Sequence, residues 1–177
     1  ENWRRFVITE GEDLGWSAKC LIFDDAGRVM LVESADRGTW DFPGGHGQNS
    51  ESPIEALKRE VFEEVGLKID QIEEIGQIQA ETKRYLFSAM NFSGSFDLQF
   101  DEISDYLWAP VEELIIEVEK NPKNFAITVV LALKNYTKEI RELGLESDKI
   151  EYYAKYPRYN AAHSIRETAV LAKKLKK

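Results

Sequence analysis

The sequence predicts an α/β domain, because segments with strand patterns and segments with helix patterns alternate along the chain. The residue character from Trp16 to Phe23 alternates well enough for a strand. The segment from Lys83 to Phe92 has the composition of an aromatic-rich strand. Between them, Pro53 to Val65 has the apolar spacing of an amphipathic helix. The length of 177 residues suits one domain with a sizeable core and a terminal appendage.

The amino-acid composition limits which binding partners and which cellular compartment we expect. The formal net charge is −9, from 32 acidic and 23 basic residues, which disfavours non-specific binding to an extended nucleic acid. An anionic substrate would need metal ions to offset this charge. The single cysteine, Cys20, lies in an apolar strand pattern without a partner for a disulfide, which predicts a reducing cytoplasm. No apolar run approaches the roughly 18 residues of a membrane span, so we expect no membrane partner.

The first elements lead to a glycine loop. Residues 1–14 are interpreted as a lead-in strand or arm. Trp16 to Phe23 then forms a strand, the turn-forming Asp24 to Gly27 follows, and Val29 to Val32 returns. This order predicts a β-hairpin. Residues 36–43 carry the chain on to the loop.

A helix is predicted to begin at Pro53, because Ser52, Pro53 and Glu55 match a capping box with proline at the first helical position. At about 100° per residue, the apolar side chains fall on one stripe that should face a core. The members of this stripe are Ile54, Leu57, Val61 and Val65. Gly66 is expected to end the helix, since glycine tolerates the left-handed conformation.

Three glutamates lie beside that stripe, with Glu60, Glu63 and Glu64 at positions i, i+3 and i+4. Their like charges would raise one another's pKa if they stayed unpaired, whereas a hard cation such as Mg²⁺ favours such a set of oxygen ligands. A solvated acidic face is the alternative. The glycine loop, Pro43 to Gly45, favours the metal site because its bare backbone can offer a carbonyl to a cation.

Arg59 lies on another face of the helix and can pair with Glu51, which would tie the loop to the helix through a charge-assisted fork. With these residues in place, the stretch from Gly45 to Leu67 resembles the Nudix box of the Nudix hydrolase family. All nine defined positions of that pattern are met, by Gly45, Glu51, Arg59, Glu60, Val61, Glu63, Glu64, Gly66 and Leu67. Ser50 departs from the family's frequent choice of glycine before the first glutamate.

The resemblance implies an α/β/α sandwich around a mixed β-sheet, with residues 16–143 covered more loosely than the box. It also implies a metal site that takes Mg²⁺, with Mn²⁺ as an alternative, and whose ligands are Gly44, Glu60, Glu63 and Glu64. Arg59 and Glu51 would shape this site. The general base is either Glu60 or an acid of a later loop. Glu102 is the candidate in that loop, and Asp101 and Asp105 are its alternatives.

Beyond the box, strands are expected around Glu74 to Ala80 and at Tyr106 to Ala109, and a helix is expected to start at Pro110. Asn124 to Leu143 has a helical pattern that Gly144 should end.

We therefore divide the chain into a Nudix domain at 1–144 and an additional C-terminal helical segment at 145–177, packed on the same domain. The tyrosines and lysines of this segment would either dock it on the domain or form an interaction surface.

Four residues outside the defining positions of the box are candidates for substrate binding: Trp40, His46, Arg84 and Tyr85. Trp40 could stack on a base or seal the core, and Arg84 could meet a phosphate or end a solvated strand. His46 could contact substrate or serve the loop structurally. Tyr85 resembles, by its distance from the box, a tyrosine of the dinucleoside polyphosphate hydrolases.

The residues and the resemblance together predict a Mg²⁺-dependent pyrophosphohydrolase that cleaves the diphosphate linkage of a nucleoside diphosphate joined to another group. A dinucleoside polyphosphate, ADP-ribose, a (d)NTP and a capped RNA end all stay open as substrates. The alternative is a catalytically weak Nudix module that binds nucleotide as a sensor or docks a protein, although the intact glutamates argue against it. We expect a small-molecule nucleotide as partner and leave a homodimer open.

Overall fold

A computed structural model describes residues 15–146 of the chain. Its strands are β1 (Trp16–Ile22), β2 (Arg28–Ser34), β3 (Trp40–Asp41), β4 (Leu67–Gln79), β5 (Lys83–Gly94) and β6 (Ile103–Pro110). Its α-helices are α1 (Pro53–Val65), α2 (Val111–Lys120), α3 (Ile127–Asn135) and α4 (Thr137–Glu146), with a 3-10 turn at Pro122–Asn124. Within the described range, the alternation of strands and helices confirms the predicted α/β class.

The strands form two three-stranded sheets, in the orders β1-β5-β4 and β3-β2-β6. In the first sheet β5 runs parallel to β1 and antiparallel to β4, so this sheet is mixed, as the resemblance implied. The second sheet is antiparallel. The hairpin predicted for the first two strands is wrong, because β1 and β2 belong to different sheets and form no ladder with each other, although an antiparallel bridge joins Phe23 and Val29 at the turn.

Two apolar clusters fill the space on the two sides of the sheets. Leu57, Val61 and Val65 of α1 pack with one cluster, which includes Cys20 as a buried free thiol. Side chains of α2, α3 and α4 pack in the other, together with Trp40 and Phe42. This layering, with helices covering both sides of the sheets, agrees with the α/β/α arrangement that the resemblance implied.

The start and end of α1 confirm the sequence prediction. The Ser52 hydroxyl accepts a hydrogen bond from the Glu55 amide at 3.3 Å, and the Glu55 carboxylate accepts one from the Ser52 amide at 2.8 Å. Gly66 ends the helix in the left-handed conformation, with φ 77°. Ile54 departs from the predicted buried stripe, because its side chain is exposed at the first turn.

β4 is longer than predicted, since it begins at Leu67 directly after the box helix. Its isoleucines recur every third residue, a spacing that fits no regular strand. A one-residue register shift between Glu74 and Gly76 changes which face later side chains take. Ile72 accordingly packs with the α1 cluster and Ile78 with the other cluster.

The helix predicted for Asn124 to Leu143 is divided in two at Tyr136, whose hydroxyl both donates to the Gln77 carbonyl and accepts from the Gln77 amide. These bonds satisfy the backbone of β4, which is an edge strand. Gly144 does not end the helix, because α4 continues to Glu146. The remainder of the predicted C-terminal segment lies outside the described residues. Among residues 15–146, no helix is long and apolar enough to cross a membrane.

Candidate active site

The glycine loop lies along the edge of β1 and is held there by two backbone hydrogen bonds. The Ala18 amide donates to the Gly45 carbonyl and the Cys20 amide to the Pro43 carbonyl, both at 2.9 Å. Gly44 has φ 122°, and a Cβ placed on it would lie 2.2 Å from the Ala18 carbonyl oxygen. Only glycine fits at this position, because both the backbone conformation and the close approach exclude a side chain.

Gly45 brings the loop directly over the box helix. A Cβ at this residue would lie 2.3 Å from Oε2 of Glu60, so the missing side chain is what lets the carboxylate approach the loop. The Glu64 carboxylate reaches the same loop, where its Oε2 accepts a hydrogen bond from the Gly44 amide at 2.7 Å. The first and last glutamates of the predicted ligand set therefore both lie against the glycine loop.

Glu64 is the most buried acid of the site, with only 7% of its surface exposed. Burial raises the pKa of Glu64 to about 8, while the charge of Lys19 and the hydrogen bond from Gly44 act in the opposite direction. A buried carboxylate in these surroundings stabilises a cation placed beside it, since the cation compensates the charge that water no longer solvates.

Arg59 connects the loop to the acids of the helix. Its Nε and Nη2 donate to the two oxygens of Glu51 at 2.7 and 3.0 Å, which is the predicted fork. The sequence placed Arg59 away from the glutamate cluster, and this part of the prediction is wrong. Its Nη1 also donates to Glu60 at 2.7 Å and to Glu63 at 3.1 Å, and its Nη2 donates to the His46 carbonyl at 3.0 Å.

The pKa values of Glu51 and Glu60, which both accept hydrogen bonds from Arg59, are shifted in opposite directions. The hydrogen bond from Arg59 lowers the pKa of Glu51, which is also bonded to the Gln48 amide. Burial raises the pKa of Glu60 even though Arg59 opposes that effect. Glu51 is thus a fixed anion that holds the loop, whereas Glu60 is a partly desolvated carboxylate at the edge of the site.

Sequence reasoning missed two residues of the site, Lys19 and Asp41. The Lys19 ammonium donates to the Gly44 carbonyl at 2.5 Å and lies 3.0 Å from Oδ2 of Asp41. Burial opposes the charge of Lys19, but the acids around it, led by Asp41 and Glu64, outweigh burial and raise its pKa. A signal was available, because a lysine in the mostly apolar strand β1 needs a buried partner.

The donor set suits a hard divalent cation, since it consists of carboxylates and a carbonyl gathered at one loop. Within residues 15–146, however, no three acidic, histidine or cysteine side chains converge on a common point. Arg59 and Lys19 contact several of the candidate ligand oxygens, which are those of Glu60, Glu63 and the Gly44 carbonyl. A cation bound here would therefore have to replace some of these contacts.

Glu102, the candidate loop base, lies in the segment that packs over the end of α1. The Gln99 amide of that segment donates to the Glu64 carbonyl at 3.0 Å, which brings the loop near the buried glutamate. The Glu102 carboxylate itself accepts a hydrogen bond from the Gln99 side-chain amide at 3.3 Å and is exposed. The role of Glu102 stays a prediction.

The candidates for substrate binding are dispersed. Trp40 is 2% exposed and packs in the core, so its ring has no face open to a base and we assign it to packing. Arg84 donates to the Thr128 hydroxyl at 2.5 Å. The β1–β5 register pairs Arg84 with Ser17, which puts Arg84 on the face of the sheet that also carries Lys19.

Tyr85 lies on the opposite face of that sheet, as successive residues of a strand do. Its ring meets Trp16 edge-on at 5.7 Å, and the Lys83 ammonium lies 4.6 Å from its centre. His46 contributes its carbonyl to Arg59, while its side chain is exposed. Tyr85 therefore lies on the face of the sheet away from Arg84.

Comparison with known proteins identifies this arrangement. The model of the NUDIX domain matches residues 13–129, which include both sheets, the box helix and the glycine loop. The chain belongs to the Nudix family. This confirms the resemblance seen in the box and the assignment as a Nudix hydrolase.

Relatives with assigned names support the same Nudix assignment. A MutT-like protein of Streptomyces ambofaciens is 26% identical over 124 residues, which are 68% of this chain and 78% of that protein. An RNA pyrophosphohydrolase of Halorhodospira halophila is 38% identical over 66 residues, which are 37% of this chain and 34% of that protein. The second match is thus confined to about a third of the relative.

Solved structures share the Nudix fold. The MutT protein of Bacillus halodurans has a TM-score of 0.54 and 25% identity, over 68% of this chain and 80% of its own. A Nudix hydrolase family member of Chromobacterium violaceum has a TM-score of 0.56 and 19% identity, over 92% of this chain and 97% of its own. Nudix hydrolases generally use a divalent metal ion, which agrees with the oxygen-rich site of this chain.

Proposed function

We propose that this Nudix protein is a Mg²⁺-dependent pyrophosphohydrolase that cleaves the diphosphate linkage of a nucleoside diphosphate joined to another group. Mn²⁺ is the alternative ion. The observation that carries the proposal is the contact between buried Glu64 and the amide of Gly44. It places a desolvated carboxylate at a glycine loop whose carbonyl is also within the site, an environment that favours a divalent cation.

The ligands proposed for the ion are Glu60, Glu63, Glu64 and the carbonyl of Gly44. A divalent ion bound there would neutralise the diphosphate and lower the pKa of an attacking water. Arg59 and Glu51 hold the loop against the helix, and the bonds from Arg59 to Glu60 and Glu63 would have to yield when the ion binds. Glu60 and Glu102 are both retained as candidates for the general base.

Arg84 is the residue that we propose to contact a substrate phosphate. It shares a face of the β1–β5 sheet with Lys19, which itself contacts the glycine loop. A guanidinium on that face is suited to a phosphate because its planar fork can donate two hydrogen bonds. Tyr85 lies on the opposite face of that sheet and His46 is exposed next to the glycine loop, and we propose that one of them contacts the group beyond the diphosphate.

The substrate itself is a small nucleotide, and the names of the relatives suggest which classes to test first. The relatives include proteins named for MutT and for RNA pyrophosphohydrolase activity. A panel should therefore contain a (d)NTP, an RNA with a 5′-triphosphate, ADP-ribose and a dinucleoside polyphosphate. The location that we propose is the cytoplasm, because Cys20 is a buried free thiol.

The test compares Glu64→Gln with the wild-type protein on this panel in the presence of Mg²⁺. We expect the variant to lose activity by about a hundredfold or more, since even supporting groups around a metal typically cost about 10- to 100-fold. Glu142→Gln is a matched control, because Glu142 is 59% exposed on α4 and pairs only loosely with Lys138 at 3.9 Å. It should keep full activity.

Two outcomes would change the proposal. Equal hydrolysis by Glu64→Gln and wild type would show that the metal site at Glu64 is wrong. Tight binding of a panel member by the wild type without turnover would instead favour a nucleotide sensor. For the substrate contact, Arg84→Met should raise KM by about tenfold, the effect of losing about 1.4 kcal/mol of binding, whereas Arg141→Met on α4 should not change it.

A further inference from the structure

The contacts of the Lys19 ammonium indicate a role beyond packing in the core. Its ammonium donates to the carbonyl of Gly44, the backbone oxygen proposed above as a metal ligand. The same ammonium forms an ion pair with Asp41 of β3. One carbonyl thus serves a lysine in this structure and would serve a divalent ion in the loaded protein.

Acidic side chains from two elements, β3 and α1, act on Lys19, and all of them lie in the candidate active site. Asp41 is on β3, and the charges of Glu60 and Glu64 act on the ammonium from α1. The Gly44 amide donates a hydrogen bond to Glu64, and the Gly44 carbonyl accepts one from Lys19. The lysine therefore compensates the same buried acids that a divalent ion would compensate.

A cation and an ammonium compete for such an oxygen. A metal ion at the Gly44 carbonyl would stand beside a positive charge, and like charges repel strongly where little water separates them. Lys19 can yield the carbonyl without losing every partner, because Asp41 is within 3.0 Å of its nitrogen. The flexible four-carbon side chain of lysine allows such a shift.

We propose that Lys19 is a resident cation of the metal site, which holds the Gly44 carbonyl in the metal-free protein and gives it up to the divalent ion while staying paired with Asp41. The inference rests on the metal site of the proposed function. It makes Lys19 a positioning residue with a definite consequence: it keeps the loop ordered when no metal is bound, and it weakens metal affinity.

The first experiment measures Mn²⁺ binding to the full chain, by electron paramagnetic resonance of the free ion, for the wild type and three variants. We expect Lys19→Met to bind Mn²⁺ about tenfold more tightly, the order expected when one positive charge is removed a few ångströms from a divalent ion in a partly hydrated site. Lys19→Arg keeps the charge and should stay near the wild-type affinity. Lys138→Met, an exposed lysine on α4, is the control and should not change it.

The alternatives predict different results. If Lys19 only positions the carbonyl as a ligand, Lys19→Met will bind Mn²⁺ more weakly, and if it only packs, the affinity will not change; either result overturns the proposal. A wild-type protein that binds no Mn²⁺ overturns the proposed metal site as well. Normal binding by the wild type together with unchanged binding by Lys19→Met overturns the role of Lys19 alone.

A second measurement does not depend on the folding of Lys19→Met. The side-chain NMR signal of Lys19 in the wild type can be assigned by its absence from Lys19→Arg. We expect Mg²⁺ to shift this signal, because the ammonium exchanges the Gly44 carbonyl for a site with Asp41 alone, and to leave the signal of Lys138 in place. An unchanged Lys19 signal in the Mg²⁺-saturated protein would overturn the exchange.

Discussion

Two arginines of this protein each hold a glutamate through two hydrogen bonds, yet their surroundings differ. Arg59 and Glu51 are joined at 2.7 and 3.0 Å, and Arg141 and Glu112 at 2.6 and 3.0 Å. The side chains of the first pair are 21% and 20% exposed, and those of the second pair are 46% and 63% exposed. The bond geometry is therefore the same and the solvation is not.

The difference lies in what else each guanidinium contacts. Arg59 also donates to Glu60, Glu63 and the His46 carbonyl, so it links the loop to the acidic side of α1. Arg141 joins α4 to α2 through Glu112. Water can replace the partner of an exposed ion pair, which makes such pairs weak, but it replaces a partly buried network poorly. We expect function to depend on the first fork and not on the second.

The largest expected effect is that of Arg59→Ala. It should lower activity by about a hundredfold or more, because three carboxylates and the loop lose their common partner. It should also reduce the free energy of unfolding by about 2 kcal/mol, since the partners are left partly buried and unpaired. Steady-state kinetics and urea unfolding measure the two quantities.

Arg141→Ala is the matched control for this prediction. Because its fork is exposed, both activity and stability should stay at the wild-type level. A comparable loss in the two variants would mean that the Arg59 network has no special role and that either fork matters only for general folding.

The second prediction applies the comparison to lysine pairs. Lys19 and Asp41 are 14% and 19% exposed, whereas Lys138 and Glu142 are 83% and 59% exposed. Asp41→Asn should lower the free energy of unfolding by about 2 kcal/mol, because Lys19 loses its main counter-charge in a desolvated position. Glu142→Gln should have no measurable effect in the same urea experiment. Equal stability of the two variants would contradict the distinction.

The third prediction concerns pH and compares Glu64 with Glu51. In the metal-free protein the pKa of Glu64 is raised from 4.5 to about 8, so its contribution to stability is complete below pH 4.5 and is lost as the pH rises through 8. The pKa of Glu51 is lowered, so its contribution is present above pH 4.5 and is lost at more acid pH. Stability in EDTA should therefore fall between pH 4.5 and 8.

The variant Glu64→Gln isolates the contribution of Glu64 to the pH dependence of stability. The variant should have a flatter stability profile between pH 4.5 and 8, because glutamine does not titrate. Saturating Mg²⁺ should likewise raise the stability of the wild type most at the alkaline end, where the carboxylate is charged. A profile that is the same for variant and wild type would show that Glu64 has an ordinary pKa.

The smallest expected effect is that of Ser52→Ala, which changes α1 without removing a charge. Loss of the cap should reduce the free energy of unfolding by about 1 kcal/mol. Activity should stay within about twofold of the wild type, since the charged network around Arg59 is intact. A large loss of activity in this variant would mean that the Arg59 result reports on the helix and not on its charges.

Local sequence predicted the box region well because its determinants are close together. The capping box at Ser52, the left-handed Gly66 and the fork from Arg59 to Glu51 depend on residues at most a few turns apart. Ser50 has a φ of 68°, in the region where glycine is favoured, which gives a local reason for the family's frequent glycine there.

The sequence predictions failed where contacts between distant segments determine strand pairing or the position of a side chain. The first two strands look like a hairpin in sequence, but β1 pairs with β5 and β2 with β6. Trp40 could serve a substrate or the core, and its placement among residues of α3 and α4 assigns it to the core. Local patterns carry no information about such partners, because each strand or aromatic residue satisfies its burial equally well in several arrangements.

The sequence by itself determined the family and the helix that carries the acids, since spacing along one helix sets which side chains lie on the same side. Only the tertiary structure brought Lys19 to Gly44, across 25 positions of sequence, and placed Asp41 against the same ammonium. The physical reason is that a lysine in a strand pattern becomes a site residue only through the buried charges that the fold places around it.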